Sequence, residues 1–354
     1  MIDFFIKVKQ HFQQNLPFVI YSKPNENALK GLFQKNNQIY ITEDFTEKGF
    51  VFAPFDGEQV LLIPEIESEL IEMEFIPNTI NKKTNSDTFV DELTKNNFKN
   101  LVQKAIEEIG KQTFLKVVLS REEILDLQDF DLEDLFKKIL NSYPTAFNYC
   151  WFHPEIGLWM GATPERLLKA NGIKFHIVAL AGTQLFQNNE TVIWGNKEQV
   201  EQQFVTDYIL ETIKNVTYEV EISLPYSLKA GNLLHLKTDI KGIINEKVSL
   251  KQLVLLLHPT PAVCGLPKSS AKDFIIENEG YNRSFYAGFL GEINKNENSE
   301  TDLFVNLRCM QIKQELDRTK AHLYIGCGVT KDSTPEKEWQ ETVNKAMTMK
   351  NIIL

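Results

Sequence analysis

Cysteines are few in this sequence and show no pattern. Cys150, Cys264, Cys309 and Cys327 are widely and irregularly spaced and form no CxxC pair. That excludes a zinc ribbon or a disulfide framework and predicts buried free thiols in a reducing cytoplasm. Long apolar runs are missing too. None exceeds five residues, as in LVLLL at 253–257, so no bilayer-crossing helix is expected. The N-terminal MIDFFIKVKQHF scatters its charges among apolar residues, unlike a signal peptide. Basic residues are in deficit, 38 against 48 acidic, for a net charge of −10. Phosphate contacts need clustered Lys and Arg, which argues against a nucleic-acid partner. The pair Lys82-Lys83 sits in a polar stretch and reads as solvated loop. A small anionic substrate remains compatible, because a pocket can be locally positive on an acidic protein. No GxGxxG, Walker loop or HExxH occurs, and no repeat or low-complexity stretch.

What is present is an ordinary globular composition, 43% hydrophobic and 24% charged over 354 residues. Strand-like runs LPFVIYS, GFVFAPF and QVLLIPEI occupy the first 75 or so residues. The polar stretch Pro77 to Asp87 is the best internal boundary. An amphipathic helix follows, with Phe98, Leu101, Val102, Ala105, Ile106 and Ile109 at helical spacing and Gly110 as its stop. Then come β-rich segments: TFLKVVLSREEIL, AFNYCWF, IGLWMGAT and IKFHIVALAGT, the second and third joined by HPEIG as a hairpin. A helix is expected from about Asn196 to Val216. Beyond it LLHLKTDIKGII, FYAGFLGEI, TDLFVNLRCMQI and AHLYIGCGV read as strands, the last three as an antiparallel meander. A final helix begins at Pro335. Antiparallel strand series interrupted by helices predict an α+β protein.

The residues suited to chemistry lie in these segments. In NKEQVEQQFVTDYI an apolar stripe of Val200, Phe204, Val205, Tyr208 and Ile209 runs beside Glu201, with Glu198 one turn earlier. In PEKEWQETVNKA, Glu338, Glu341 and Lys345 share one side. Two helices with stacked carboxylates suit a hard divalent cation such as Mg²⁺, although such pairs also decorate solvated helix faces. Lys116 shares a mixed strand face with Phe114, Val118 and Ser120, a face that half-solvation would suit. If buried instead, its pKa falls and a neutral amine becomes available as a base. Glu165, after a strand and a proline, is placed for a cleft or for a helix first turn. Arg308 interrupts an apolar strand and needs an anion, from the protein or from a ligand. His235, in LLHLK, suits a satisfied core histidine.

Taken in order, eight segments resemble the chorismate-utilising enzyme family. They are KVVLSR (116–121), GATPERLL (161–168), ALAGT (179–183), KEQVEQ (197–202), HPTPAVCGLP (258–267), NRSFYAGFLG (282–291), NLRC (306–309) and GCGVTKDSTPEKEWQET (326–342). They span roughly residues 113 to 350, and the first ninety residues add little. The resemblance implies one large α+β domain of stacked antiparallel sheets flanked by helices. Residues 1–90 would be its weakly matched part and 91–354 its catalytic region. It further implies Lys116 as the base that activates water and Glu165 as the acid that protonates a leaving hydroxyl. Glu201 and Glu341 would hold Mg²⁺, with Glu198 and Glu338 in support. Arg308, Tyr286 and the backbone at Gly326 match positions that hold the enolpyruvyl carboxylate of chorismate; Gly182, Thr183, His235, Ala262 and Lys345 match others lining the pocket. Ammonia-using relatives carry glutamine where Lys116 stands, so the lysine marks the water-using branch, which makes isochorismate and needs no glutaminase. Salicylate synthases, which go on to eliminate pyruvate, tend to carry a hydroxyl residue at the position of Ala262. A cytoplasmic monomer acting on chorismate is the expectation, whether it feeds menaquinone or siderophore supply. One departure is Gln202, where the family has a histidine.

Overall fold

Strand Phe18–Ser22 is buried along its whole length, and its alternate residues enter two different cores. Val19 and Tyr21 belong to one cluster, Phe18 and Ile20 to the other. A strand buried on both faces must lie inside a layered structure. The computed structural model describes residues 4–78, 91–185, 192–230, 233–315 and 318–354. The elements in chain order are α1 (Phe4–Gln13), β1 (Phe18–Ser22), β2 (Ala28–Gln34), β3 (Tyr40–Ile41), β4 (Gly49–Ala53), β5 (Leu61–Pro64), β6 (Ser68–Glu74), α2 (Glu92–Gly110), β7 (Lys116–Leu127), α3 (Leu132–Ser142), β8 (Phe147–His153), β9 (Gly157–Thr163), β10 (Arg166–Asn171), β11 (Lys174–Leu185), α4 (Asn196–Ile213), β12 (Thr217–Ile222), β13 (Tyr226–Ala230), β14 (Leu233–Ile244), α5 (Leu250–Leu257), β15 (Gly265–Leu266), α6 (Lys268–Asn278), β16 (Phe289–Ile293), β17 (Glu300–Val305), β18 (Cys309–Glu315), β19 (Arg318–Val329) and α7 (Pro335–Ile353).

The strands form two antiparallel sheets. Sheet I runs β15-β7-β19-β18-β9-β8-β1-β2-β6, and sheet II runs β12-β14-β11-β10-β17-β16-β4-β5-β3 with β13 also on β14. Aromatic rings fill the space between them. Phe147 of sheet I stacks on Phe304 of sheet II at 4.3 Å, and Phe52 of sheet II lies 4.9 Å from Trp151 of sheet I. Helices α1, α3 and the end of α7 cover the outer face of sheet I through Phe5, Val8, Phe136, Ile139 and Met349. This is the expected α+β class with stacked antiparallel sheets. The hairpin at HPEIG joins β8 to β9, with His153 opposite Gly157. All four cysteines are buried and free. The boundary expected at Pro77 to Asp87 falls mostly on residues outside the described ones. Phe147→Ala is expected to cost about 3–5 kcal/mol of stability, since it deletes a fully buried ring from the inter-sheet stack. Chemical denaturation measures this; a loss below about 1 kcal/mol would contradict the packing.

Three expectations change. TDLFVNLRCMQI is not one strand but two, β17 in sheet II and β18 in sheet I. The expected meander is therefore split between the sheets. FYAGFLGEI contributes only Phe289–Ile293 as strand, because Phe285–Gly288 form a turn bonded to residue 306. The helix expected to reach Val216 ends at Ile213, where the Thr217 hydroxyl bonds the Ile213 carbonyl and the chain enters β12.

Candidate active site at the passages between the sheets

The chain crosses from one sheet to the other at two neighbouring places. Pro164 and Glu165 link β9 in sheet I to β10 in sheet II, and residues 306–308 link β17 back to β18. The passages are tied to each other: the Val305 N–H donates to the Glu165 carbonyl at 2.9 Å, Ala162 N–H to the Arg308 carbonyl at 3.0 Å, and the Thr163 hydroxyl to the Val305 carbonyl at 2.6 Å. Asn306, fully buried, accepts from the Tyr149 hydroxyl at 2.6 Å and donates to the Phe285 carbonyl at 2.9 Å. Its backbone exchanges bonds with Ala287 and Gly288. The turn bearing Tyr286 is thereby pinned to the same spot. Arg308 does not sit within a strand as expected. It has φ 48° in the second passage, a left-handed conformation that ends β-pairing and turns its side chain away from the ladder.

Lys116 opens β7 near the edge of sheet I, with the short β15 on one side and β19 on the other. Its expected half-solvated face is in fact buried: Phe114, Val118 and Ser120 are all inaccessible, and Lys116 itself is half-buried. The lysine stem passes over Gly328, where a Cβ would stand 3.2 Å from Cε. Glu165 keeps part of its surface open, yet burial raises its pKa above the ordinary carboxylate value, opposed by the cations Lys116, Lys345 and Arg308. Four of the expected site residues thus meet electrostatically, drawn from β7, the two passages and α7. A carboxyl whose pKa is raised by burial beside three cations is suited to donate a proton where negative charge is being gathered. Arg308 is largely enclosed; burial lowers its pKa while Tyr286, Glu341, Tyr143 and Glu165 favour its charge. Arginine stays cationic regardless, so the seam carries a fixed positive charge suited to a carboxylate ligand.

Tyr286 is buried, and burial pushes its hydroxyl pKa well up, so it remains a neutral hydrogen-bond donor. Its ring stacks on Tyr324 at 5.6 Å, and its hydroxyl lies over Gly326, where a Cβ would come within 2.7 Å. The Gly326 carbonyl accepts from Lys345 Nζ at 3.0 Å, and the same ammonium pairs with Glu341 at 2.5 Å. Ala262 borders a cavity of about 160 Å³ on the other side of Glu165, walled by Arg166, Leu180, Tyr208, Ile209 and Thr260. The structure therefore brings together Lys116, Glu165, Ala262, Tyr286, Arg308, Gly326, Glu341 and Lys345 around one seam.

The carboxylate helices are less uniform. On α7, Glu338 is buried, and burial together with Glu341 raises its pKa. Glu341 is exposed along one side. On α4, Glu198 is half-buried with its carboxylate turned back over Gly195. The apolar stripe expected on α4 is buried only in part: Ile209 is enclosed and Val205 and Tyr208 pack against the core. Val200 and Phe204 are exposed, and the buried side runs through Gln202, Thr206, Ile209 and Ile213. Polar residues can occupy that side because they satisfy one another: the Gln202 amide donates to Thr206 at 2.8 Å and to Thr238 on β14 at 2.5 Å. The side chains of Gly182, Thr183, Glu201 and His235 lie outside the described residues, although their backbones run in β11, α4 and β14. Among the described residues no three His, Cys, Asp or Glu side chains converge as metal ligands. Asn306, Glu279 and Arg283 organise this region and were not singled out from sequence. The only signal was a buried-type polar residue, Asn306, set in an otherwise apolar run.

A family model described as "Chorismate binding enzyme" matches residues 58–354. The chain belongs to the chorismate-binding enzyme family. Among curated relatives, this family member is 29% identical over 267 residues to the isochorismate synthase EntC of Escherichia coli (strain K12), covering 72% of this chain and 66% of that protein. It is 30% identical over 269 residues to the isochorismate synthase MenF of Bacillus subtilis (strain 168), covering 73% and 56%. The chain thus matches between about half and two-thirds of those relatives' lengths. The crystal structure of MenF from Escherichia coli, the menaquinone-specific isochorismate synthase, superposes with a TM-score of 0.78 at 20% identity over 96% of this chain and 89% of that one, which shows the shared fold. No helix among the described residues is long and apolar enough to cross a membrane.

Proposed function

We propose that this family member is an isochorismate synthase, interconverting chorismate and isochorismate with Mg²⁺. The observation that carries the reading is the meeting of Lys116 from sheet I and Glu165 from a passage between the sheets beside Arg308 and Lys345. Exchange of a ring hydroxyl needs a base for the incoming water and an acid for the departing hydroxyl, because water is a poor nucleophile and hydroxide a poor leaving group. The Lys116 amine takes a proton from water as its oxygen bonds to C2. Both ring double bonds shift, C1=C2 to C1=C6 and C5=C6 to C4=C5, and the C4–O bond breaks as Glu165 delivers its proton, releasing water. A pKa raised by burial lets Glu165 keep its proton to higher pH than an ordinary carboxyl, which fits the donor role. Arg308 and the Tyr286 hydroxyl, above the Gly326 backbone, are suited to the enolpyruvyl carboxylate.

The donor set near α7 fits a hard dication. Glu338 and Glu341 are carboxylates, the Glu338 pKa being raised by burial and by its neighbour Glu341, and oxygen donors without sulfur or imidazole suit Mg²⁺. Glu341 and Glu201 would hold the ion, with Glu198 and Glu338 in support. When bound, it neutralises the ring carboxylate. Gly182, Thr183, His235 and Ala262 are assigned to the pocket wall. Residues 1–90 are assigned to the same domain as 91–354, supported by strands β1–β6 pairing into both sheets. The buried free thiols support a cytoplasmic setting, and a water-using lysine supports action without a glutaminase; a monomer is the assembly we assign.

Chromatography of chorismate incubated with the protein, with Mg²⁺ and then with EDTA, tests this. Isochorismate appearing only with Mg²⁺, up to an equilibrium mixture, is expected. Salicylate and pyruvate as main products would assign the lyase branch instead, and no product at all would refute the reading. Glu341→Gln is expected to raise the Mg²⁺ needed for half-maximal rate by at least ~10-fold; an unchanged titration removes Glu341 from the metal set.

A further inference from the structure

A buried ion pair lies behind the site and has no part in the chemistry so far. Glu279 and Arg283 have side chains only 1% and 3% exposed. Arg283 Nε donates to Glu279 Oε2 at 2.7 Å. Its two amino groups diverge, Nη1 to the Val263 carbonyl at 2.9 Å and Nη2 to the Val118 carbonyl at 2.6 Å. Glu279 in turn accepts from the Ser120 N–H at 2.7 Å and the Ser120 hydroxyl at 3.0 Å, and Tyr281 bonds that same hydroxyl at 2.6 Å.

The topology explains why these groups are needed. Strand β15 pairs with β7 only at Val117 and Lys116. Past that point the outer edge of β7 presents the Val118 carbonyl and the Ser120 N–H with no neighbouring strand. A buried edge must be satisfied, and here a guanidinium and a carboxylate act as the missing strand. The same guanidinium reaches Val263, next to Ala262, and lies 5.8 Å from the Tyr286 ring. One planar, multi-donor cation therefore spans the strand of Lys116, the turn of Ala262 and the ring of Tyr286. Lysine, a compact point charge, cannot reproduce that fork.

We propose that Arg283, held by Glu279, is a positioning residue that sets the spacing between the Lys116 amine and the Ala262 and Tyr286 walls of the site. This rests on the isochorismate synthase reading. Stabilisation of the β7 edge alone would not require one group that also reaches Val263 and the Tyr286 ring, whereas this guanidinium meets all three.

The test uses the full-length chain as Arg283→Lys and as the double variant Glu279→Gln/Arg283→Met, which discharges the pair yet keeps an acceptor for Ser120. Thermal unfolding is measured with kcat and KM for chorismate. The double variant leaves the Val118 and Val263 carbonyls without this donor, so it is expected to unfold below wild type yet stay folded at the assay temperature, with kcat down roughly 30- to 100-fold and KM changed by less than about 3-fold, as for a displaced catalytic group. Arg283→Lys should show the same split; if it fails to fold, the double variant decides. A stable double variant with wild-type kcat overturns the proposal and leaves the function intact. A wild-type protein that makes no isochorismate overturns both.

Discussion

Lys116→Ala should bind chorismate and leave it unconverted. Loss of a general base lowers kcat by about 10²–10⁴-fold, while the groups suited to the carboxylates of the substrate, Arg308, Tyr286 and the Gly326 backbone, are untouched. The stem of Lys116 is half-buried over Gly328, so truncation leaves space beside a glycine without deleting a core side chain. It also removes one of three cations that hold the Glu165 pKa down, so Glu165 should become still harder to ionise. Calorimetric binding of chorismate alongside a product assay separates the two effects. Turnover at the wild-type rate would take Lys116 out of the mechanism; loss of binding with loss of turnover would make it a binding group.

Glu165→Gln is expected to be comparably severe, about 10²–10⁴-fold in kcat, and to carry a pH signature. Burial raises the Glu165 pKa, and the donor must be protonated to act. The rate should therefore fall as pH rises through that raised value, and this limb should vanish in the variant. Stability follows the same sign. A carboxyl whose folded pKa exceeds its unfolded one is favoured by folding at low pH, and that contribution is lost as pH rises through the folded value. At pH values above that raised value the wild-type fold carries an ionised, desolvated group, and the neutral amide relieves it. Glu165→Gln should thus unfold at or above the wild-type temperature on the alkaline side of the limb while being nearly inactive. A clearly lowered unfolding temperature would show that Glu165 is an ion-pair partner first and a proton donor second.

Much of this molecule is written locally. β-Branched and aromatic runs mark β7, β8, β9, β11 and β14; HPEIG marks the hairpin; Pro335 marks the start of α7. The scattered cysteines predict buried free thiols, and that is their state. Eight ordered motifs carried the resemblance to the family, which the match over 58–354 establishes. These features depend on neighbours in the chain, so residue type and spacing suffice to read them.

The site was decided elsewhere. TDLFVNLRCMQI has the alternation of one strand because alternation records only that successive side chains point opposite ways. It cannot record that the chain leaves sheet II at Val305 and enters sheet I at Cys309. Only the folded structure puts Arg308 in that passage, beside a second passage holding Glu165 more than a hundred residues earlier. The same holds for Lys116, whose face reads as mixed but is buried because Phe274 of α6 packs on Phe114 and Glu279 and Arg283 bond to Ser120 and Val118. On α4 the buried side passes through Gln202 rather than Phe204, because Thr206 and Thr238 complete its hydrogen bonds. Burial and long-range pairing are properties of the packed sheets, and the pKa of Glu165, the fork of Arg283 and the meeting of acid with base all follow from them.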